Sequence, residues 1–314
     1  MMNSNEPSLS QGQSSCNLCP RMCSVDRTSH IGYCGETSTV RLARAALHHW
    51  EEPCISGDQG SGAIFFCGCN LRCVFCQNHD ISCSNIGKEV TATRLCDIML
   101  DLQKKGALNI NLVTPTHFVP QIVSAIQLAK SKGLALPIVY NTSAYENVST
   151  LKMLDGIIDI YLPDFKYYDN SLALRFSSAP NYREVALDAI DEMMRQMRFN
   201  TSDSICTFDN NGIMTHGIIV RHLVLPGHTH DSMDVLATLH ARYGNDIYIS
   251  IMNQYTPLDH VLKTSHKELH RKVTKKEYEK IIDYAIDIGI ENGFTQEGEA
   301  AAESFIPAFD YEGV

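Results

Sequence analysis

The sequence predicts an α/β protein, a partial (β/α)6 barrel carrying a small cysteine-rich N-terminal appendage. Three observations lead there. After residue 61, short apolar runs alternate six times with stretches of helical periodicity, the pattern of a mostly parallel sheet covered by helices. Eleven of the twelve cysteines lie between Cys16 and Cys96, which points to metal ligation rather than scattered packing. Three of them, Cys69, Cys73 and Cys76, directly follow the first predicted strand, where a parallel barrel places its chemistry.

The elements follow in order. Ala63–Cys67 (AIFFC) is a short apolar run and therefore a buried strand. Leu95, Ile98, Met99 and Leu102 recur at helical spacing, and Asn109–Val113 is the next strand. Ile122, Ala125, Ile126 and Ala129 mark a helix that Gly133 stops. Leu136–Tyr140 is a strand, Val148–Leu154 a short helix before Gly156, and Ile157–Leu162 a strand closed by Pro163. Val185, Ala189, Ile190, Met193 and Met197 share one helical face. Gly217–Leu225 is a strand ending at Pro226-Gly227, and Val235, Leu236 and Leu239 belong to the following helix. Ile247–Ile251 is the sixth strand, 274–290 the last helix, and the chain after Gly293 reads as irregular. The predicted divisions are a disordered N-terminus (1–15), a cysteine-rich metal-binding appendage (16–60), the barrel (61–292) and a tail packing on it (293–314).

Composition narrows the function. A formal net charge of −10 argues against a broad phosphate-contacting surface, so no nucleic-acid partner is expected. No run of about 18 apolar residues is present, so no membrane span is expected either. The polar first fifteen residues lack the basic start and apolar stretch of a signal peptide, which predicts a cytoplasmic protein. In that reducing compartment twelve cysteines are poor disulfide formers.

The spacing C-x3-C-x2-C at Cys69, Cys73 and Cys76 supplies three soft thiolates from one loop. Thiolates hold iron–sulfur clusters. Three of them leave one iron of a 4Fe-4S cubane without a protein ligand, free to take a cofactor or substrate, whereas an electron carrier normally has four. Zinc binding or simple burial is the competing reading, favoured by C-x2-C alone but not by the full spacing in this position.

At this point the chain resembles the radical S-adenosylmethionine (SAM) superfamily, and within it the pyruvate formate-lyase activating enzyme-like (PflX-type) group. The resemblance rests on CNLCPRMCSVDR at Cys16–Arg27, CGCNLRCVFCQN at Cys67–Asn78, NLVTPTHFVPQI at Asn111–Ile122, YLPDFKYYD at Tyr161–Asp169, RHLVLPG at Arg221–Gly227 and MNQYTP at Met252–Pro257. It implies a shared first step. The open iron chelates SAM, one electron cleaves the sulfonium to methionine and a 5′-deoxyadenosyl radical, and that radical abstracts hydrogen from a substrate. It also implies a reducing partner such as flavodoxin or ferredoxin. A protein substrate of the glycyl-radical type is one expectation; another peptide or a small molecule is the alternative. A non-catalytic iron–sulfur or zinc protein is the reading from a different class.

The resemblance places Phe75 near the adenine. Thr114 and Thr116 stand where many superfamily members have a Gly-Gly-Glu stretch for the methionine amino group, and the chain departs from that pattern. His117 beside them reads as structural. Asn141 and Thr142, with Asp164 and Lys166, resemble stretches that flank the cofactor carboxylate beside a monovalent cation; oxygen donors suit a hard cation. A surface ion pair is the bland alternative for Asp164 and Lys166. Arg221, in an apolar strand, needs an anion, either the cofactor carboxylate or a structural carboxylate. Gln254 and Tyr255 are within reach of a substrate or pack in their loop. Cys16, Cys19, Cys23 and Cys34 have the makings of a second, four-thiolate site, for which an auxiliary iron–sulfur cluster and structural zinc both fit. Cys67, two residues before Cys69, is a competing ligand for the main site.

Overall fold

The computed structural model describes residues 15–83, 86–198, 204–296 and 306–314. The N-terminal disorder expected over 1–15 concerns residues that, save the last, lie outside this set, as does part of the predicted tail, 297–305. Ten strands are present among the described residues: β1 Val40–His48, β2 Ser61–Phe66, β3 Lys88–Val90, β4 Ile110–Val113, β5 Ile138–Thr142, β6 Ile160–Pro163, β7 Thr207–Phe208, β8 Met214–Leu223, β9 Tyr248–Met252 and β10 Gly293–Thr295. They form one sheet in the order β10-β9-β8-β6-β5-β4-β2-β1-β3, with the two-residue β7 paired to β8. From β2 to β10 every neighbour along this path is parallel. This is the expected α/β partial barrel.

The six predicted strands are β2, β4, β5, β6, β8 and β9. Every residue of β2, β4, β5 and β6 is buried, as strands covered on both faces must be. Along them, alternate residues separate two apolar layers. Ile64, Ile110, Leu112, Ile138 and Tyr140 face the helices Ala92–Lys104 and Val119–Ser131. Val139, Ile160, Leu162 and Ile219 fill the concave face. The predicted helix over 148–154 is α-helical through Leu151 and tightens to a 3-10 turn over Lys152–Leu154.

Two segments differ from the sequence reading. Residues 40–48, placed within the appendage, instead form β1, which pairs antiparallel with β2 from Leu42↔Phe66 to His48↔Ser61. The alternation of β1 is weak because small residues, Ala43, Ala45 and Ala46, are buried on both faces. The chain after Gly293, read as irregular, opens with β10, which adds to β9 in parallel. Gly293 there passes close to the β9 backbone, where a Cβ would lie 2.9 Å from the Ile249 carbonyl oxygen. At the other end, Ala45 donates to the Glu312 carbonyl and Tyr311 donates to the Ala43 carbonyl, holding residues 306–314 along β1. Among the described residues no helix is long and apolar enough to cross a membrane.

The segment that precedes β2 matters most for function. The single turn Pro53–Ser56 buries Cys54 and Ile55 against Val139, Ile160 and Ile219 on the concave face. Just before this plug Glu52 is buried and Glu51 nearly so.

Candidate active site

A cavity of about 470 Å³ opens at the C-terminal ends of the parallel strands. Cys69, Cys73 and Cys76 line it, on the loop that leaves β2, and Phe75, Thr114, Asn141, Thr142, Asp164, Lys166 and Arg221 line it too. Inward-facing positions at successive strand ends therefore converge, as the alternation of side chains in a strand requires.

The three thiols form one electrostatic group, for Cys73 and Cys76 both act on Cys69. Burial raises all three, Cys76 to about 11. Each sulfur accepts a hydrogen bond: Cys69 from the Leu71 N–H at 3.4 Å, Cys73 from the Ser177 hydroxyl at 2.9 Å and Cys76 from the Ser82 hydroxyl at 3.5 Å. Donors aimed at sulfur compensate thiolate charge and are the surroundings that cluster ligands take. Among the described residues no three His, Cys, Asp or Glu side chains are drawn together around a single ion. A cubane does not ask for that, because each thiolate binds its own iron. The donor set fits an open 4Fe-4S cluster.

Beside the thiols lies a charged lattice. Asp164 accepts from Lys166 Nζ at 2.6 Å and from Arg221 Nε at 2.9 Å. Arg221 also donates to Asn141 Oδ1 at 2.7 Å and to Glu51 Oε2 at 3.2 Å. Glu51 Oε1 accepts from Asn111 Nδ2 at 3.0 Å and Asn141 Nδ2 at 3.3 Å. Burial pushes the Asp164 carboxyl up, but Arg221 and Lys166 outweigh it and hold it below the usual carboxylate range. Glu51 and Glu52 go the other way: burial raises both against the opposing pull of Arg221.

The structure bears on three of the expected roles. Arg221 has its structural carboxylates already, Asp164 and Glu51, so its guanidinium is committed inside the protein. Both oxygens of Asp164 are taken by cations, and Thr142 turns its hydroxyl to Glu146; a monovalent cation at this place would meet an ammonium and a guanidinium. Thr116 does not line the cavity. It is 1% exposed and donates to Glu146 at 2.6 Å.

The remaining assignments sort by geometry. Phe75 packs edge-on to Tyr167 and Tyr255 at the cavity wall. Thr114 has φ 61°, rare for a β-branched residue, and its N–H donates to the Asn141 carbonyl at 2.9 Å. Gln254 lines the cavity, whereas Tyr255 spends its hydroxyl on the Leu269 carbonyl. His117 is buried, bonds the Cys67 carbonyl through Nε2 at 2.7 Å, and is pushed by burial down to about 3, hence neutral. Cys67 does not line the cavity; it packs with Ala43, Ala63 and Phe65. Cys16, Cys19, Cys23 and Cys34 lie outside the cavity wall.

Sequence reasoning missed Glu51, Glu52 and Ser177. Glu51 and Glu52 sit ahead of the first barrel strand, where no strand-end rule points. Ser177 ends the helix Asn170–Ser177, a polar residue at a helix end like many others.

Fold and site together define a mostly parallel partial barrel with an open three-thiolate loop at the end of its first parallel strand. Residues 55–183, which include that loop, match the family model described as a 4Fe-4S single cluster domain. An uncharacterized protein of Methanocaldococcus jannaschii, MJ0674, is 26% identical over 279 residues, covering 86% of this chain and 74% of its own. Among solved structures, Streptococcus suis SuiB bound to its precursor peptide SuiA superposes with a TM-score of 0.48 at 12% identity, over 73% of this chain and 46% of SuiB. Native anSMEcpe with bound AdoMet gives 0.47 at 11% identity, over 70% and 57% of the two chains. Methylornithine synthase PylB gives 0.43 at 16% identity, over 74% and 72%. This chain spans about half the length of SuiB.

Proposed function

We propose that this chain is a radical SAM enzyme: a 4Fe-4S cluster on Cys69, Cys73 and Cys76 would bind S-adenosylmethionine in the cavity, and the radical made from it would take hydrogen from a substrate. The observation that carries this reading is the convergence of three thiols from one loop on the same cavity as a polar set from four successive strand ends. When bound, the cluster would supply the electron that splits the sulfonium, and the chain's part is to hold and orient. Lys166, 16% exposed at the cavity, is the cation best placed to meet a cofactor carboxylate, since Arg221 is committed elsewhere. Its ammonium acts on Cys73 and shares Asp164, which fixes its position. Phe75 offers an aromatic wall for a purine.

The substrate reading follows the resemblance to activating enzymes: hydrogen abstraction from a glycyl-radical partner, with a flavodoxin or ferredoxin as reductant, in the cytoplasm. All twelve cysteines are free thiols in the structure, which suits a reducing compartment. Anaerobic reconstitution with iron and sulfide, followed by reduction in the presence of SAM, tests the core. The expected product is 5′-deoxyadenosine, abolished in Cys73→Ala. An intact cluster that yields none overturns the proposal.

A further inference from the structure

We infer that Glu52 determines specificity in the cavity: it receives a positively charged group of the substrate, an ammonium or guanidinium carried on an apolar stem. This rests on the radical reading for the place of the cofactor and adds what the rest of the cavity selects.

The cavity wall has two chemically different parts. One holds the three thiols, Phe75 and Lys166; the other is the chain that joins β1 to β2, His48 to Pro53. β1 runs antiparallel to β2 and ends at the pair His48↔Ser61, so this connection starts from the end of β2 opposite the thiol loop. The turn Pro53–Ser56 then packs on Val139, Ile160 and Ile219, closing the floor of the partial barrel. Glu51 and Glu52 line the cavity from that floor.

Charge identifies what the floor lacks. Thiols and histidines aside, the ionisable side chains on the wall are Glu51, Glu52, Asp164, Lys166 and Arg221, three acids against two bases. The bases are committed. Lys166 pairs with Asp164, and Arg221 gives its N–H groups to Asp164, Glu51 and Asn141. Glu52 feels Arg221 through space, but among the described residues no salt bridge is formed to it. It is 8% exposed, and burial together with the like charge of Glu51 raises its carboxyl. A buried carboxylate so placed calls for a cation.

The cofactor does not supply that cation. An oxidised cubane on three thiolates carries about −1 and SAM about +1, so the two together are close to neutral. The acid left over faces the other occupant of the cavity, the substrate. The apolar stem has its own surface: Trp50, two positions before Glu52 and 60% exposed, stands with Phe65 and Pro307 along one stretch of wall. The competing reading is a protonated Glu52 that hydrogen-bonds a neutral hydroxyl, for which an alcohol serves as well as an amine.

The test uses the full chain, reconstituted anaerobically, saturated with SAM and left unreduced so that nothing turns over. Pentylamine, pentylguanidine and the neutral pentanol are titrated by ligand-observed nuclear magnetic resonance, the two cations separating ammonium from guanidinium. At least one cation should bind roughly tenfold or more tighter than the alcohol, the margin of a charge-assisted over a neutral hydrogen bond. Glu52→Gln should bring all three ligands within about twofold of one another, and Glu52→Asp should keep the preference. Equal binding of cation and alcohol overturns the inference, as does an unchanged preference in Glu52→Gln. Displacement of the amine by SAM, seen by repeating the titration without it, also overturns it, because Glu52 would then serve the cofactor. Should Glu52→Gln not fold, a crystal structure of the unsubstituted chain with pentylamine bound decides: the ammonium lies on the Glu52 carboxylate, or the inference falls. None of these readouts needs a radical. Their failure leaves 5′-deoxyadenosine formation standing, and a chain that binds the amine but makes no 5′-deoxyadenosine fails only in the proposed reaction.

Discussion

Glu51 Oε2 stands 3.2 Å from Arg221 Nη1, although 170 positions separate the two residues in the chain. The pair joins the plug before β2 to the strand β8 across the concave face. Arg221 holds Asp164 from the same guanidinium, so it serves two buried carboxylates at once. Removing one member of a buried ion pair strands the other, at about 3–5 kcal/mol. Arg221→Ala should therefore lower the unfolding free energy, measured by urea denaturation, by that much. Glu51→Gln keeps the shape and removes a charge that burial already disfavours, and should cost about 1 kcal/mol. Equal losses in the two variants would contradict this account.

Ser177 gives its hydroxyl to the Cys73 sulfur at 2.9 Å and is itself held by the Tyr167 hydroxyl at 2.7 Å. Hydrogen bonds to cluster sulfurs stabilise the reduced, more negative state. Loss of one neutral hydrogen bond, about 1 kcal/mol, corresponds to about 40 mV for a one-electron couple. In Ser177→Ala the reduction potential of the reconstituted cluster should fall by that order with iron content unchanged, as measured by anaerobic redox titration followed by electron paramagnetic resonance.

Glu146 is 2% exposed and accepts from Thr116, Thr142 and the Tyr140 hydroxyl on one oxygen, while its other oxygen is unpaired among the described residues. Burial raises its carboxyl from 4.5 to about 7 against those three bonds. The native state thus keeps a proton that the unfolded chain gives up. Its contribution to stability is full below about pH 4.5 and is lost as pH rises through about 7, a change on the order of 3 kcal/mol. Glu146→Gln mimics the neutral acid and should flatten the unfolding free energy across that window. A profile as steep as that of the unsubstituted protein would show that Glu146 does not titrate there.

Much of this architecture was legible in the sequence, and what escaped has a common cause. Runs such as Asn109–Val113 and the face of Val185, Ala189, Ile190, Met193 and Met197 declare their periodicity, so the parallel strands and main helices could be read directly, though it is Ala186 rather than Val185 that is buried. The thiol loop was legible because its spacing and its place after β2 agree. Glu51 was not, because a carboxylate before a proline says nothing of the strand it will meet 170 positions later. The roles of Arg221 and Asp164 were ambiguous for the same reason: each needs a countercharge, and only the fold decides whether that charge is internal. β1 escaped because alanines blur its alternation.

The contact between the N-terminal turn and the thiol loop gives the last expectation. At Gly68 a Cβ would lie 2.5 Å from Glu36 Cγ and 2.6 Å from the Cys34 carbonyl oxygen, and the φ of +78° is itself unfavourable for any other residue. The Cys34 carbonyl is backbone and tied to the Cys69 N–H, so it has little freedom to retreat. Gly68→Ala must then part the two loops or strain both, at a cost of about 1–3 kcal/mol. Because Cys69 is the next residue, the damage should fall on metal loading before it falls on the fold. The variant should keep its circular dichroism spectrum, lose a few kilocalories in urea unfolding, and take up less iron at the first site on anaerobic reconstitution. Full iron uptake with unchanged stability would mean that the approach at Gly68 is looser than described.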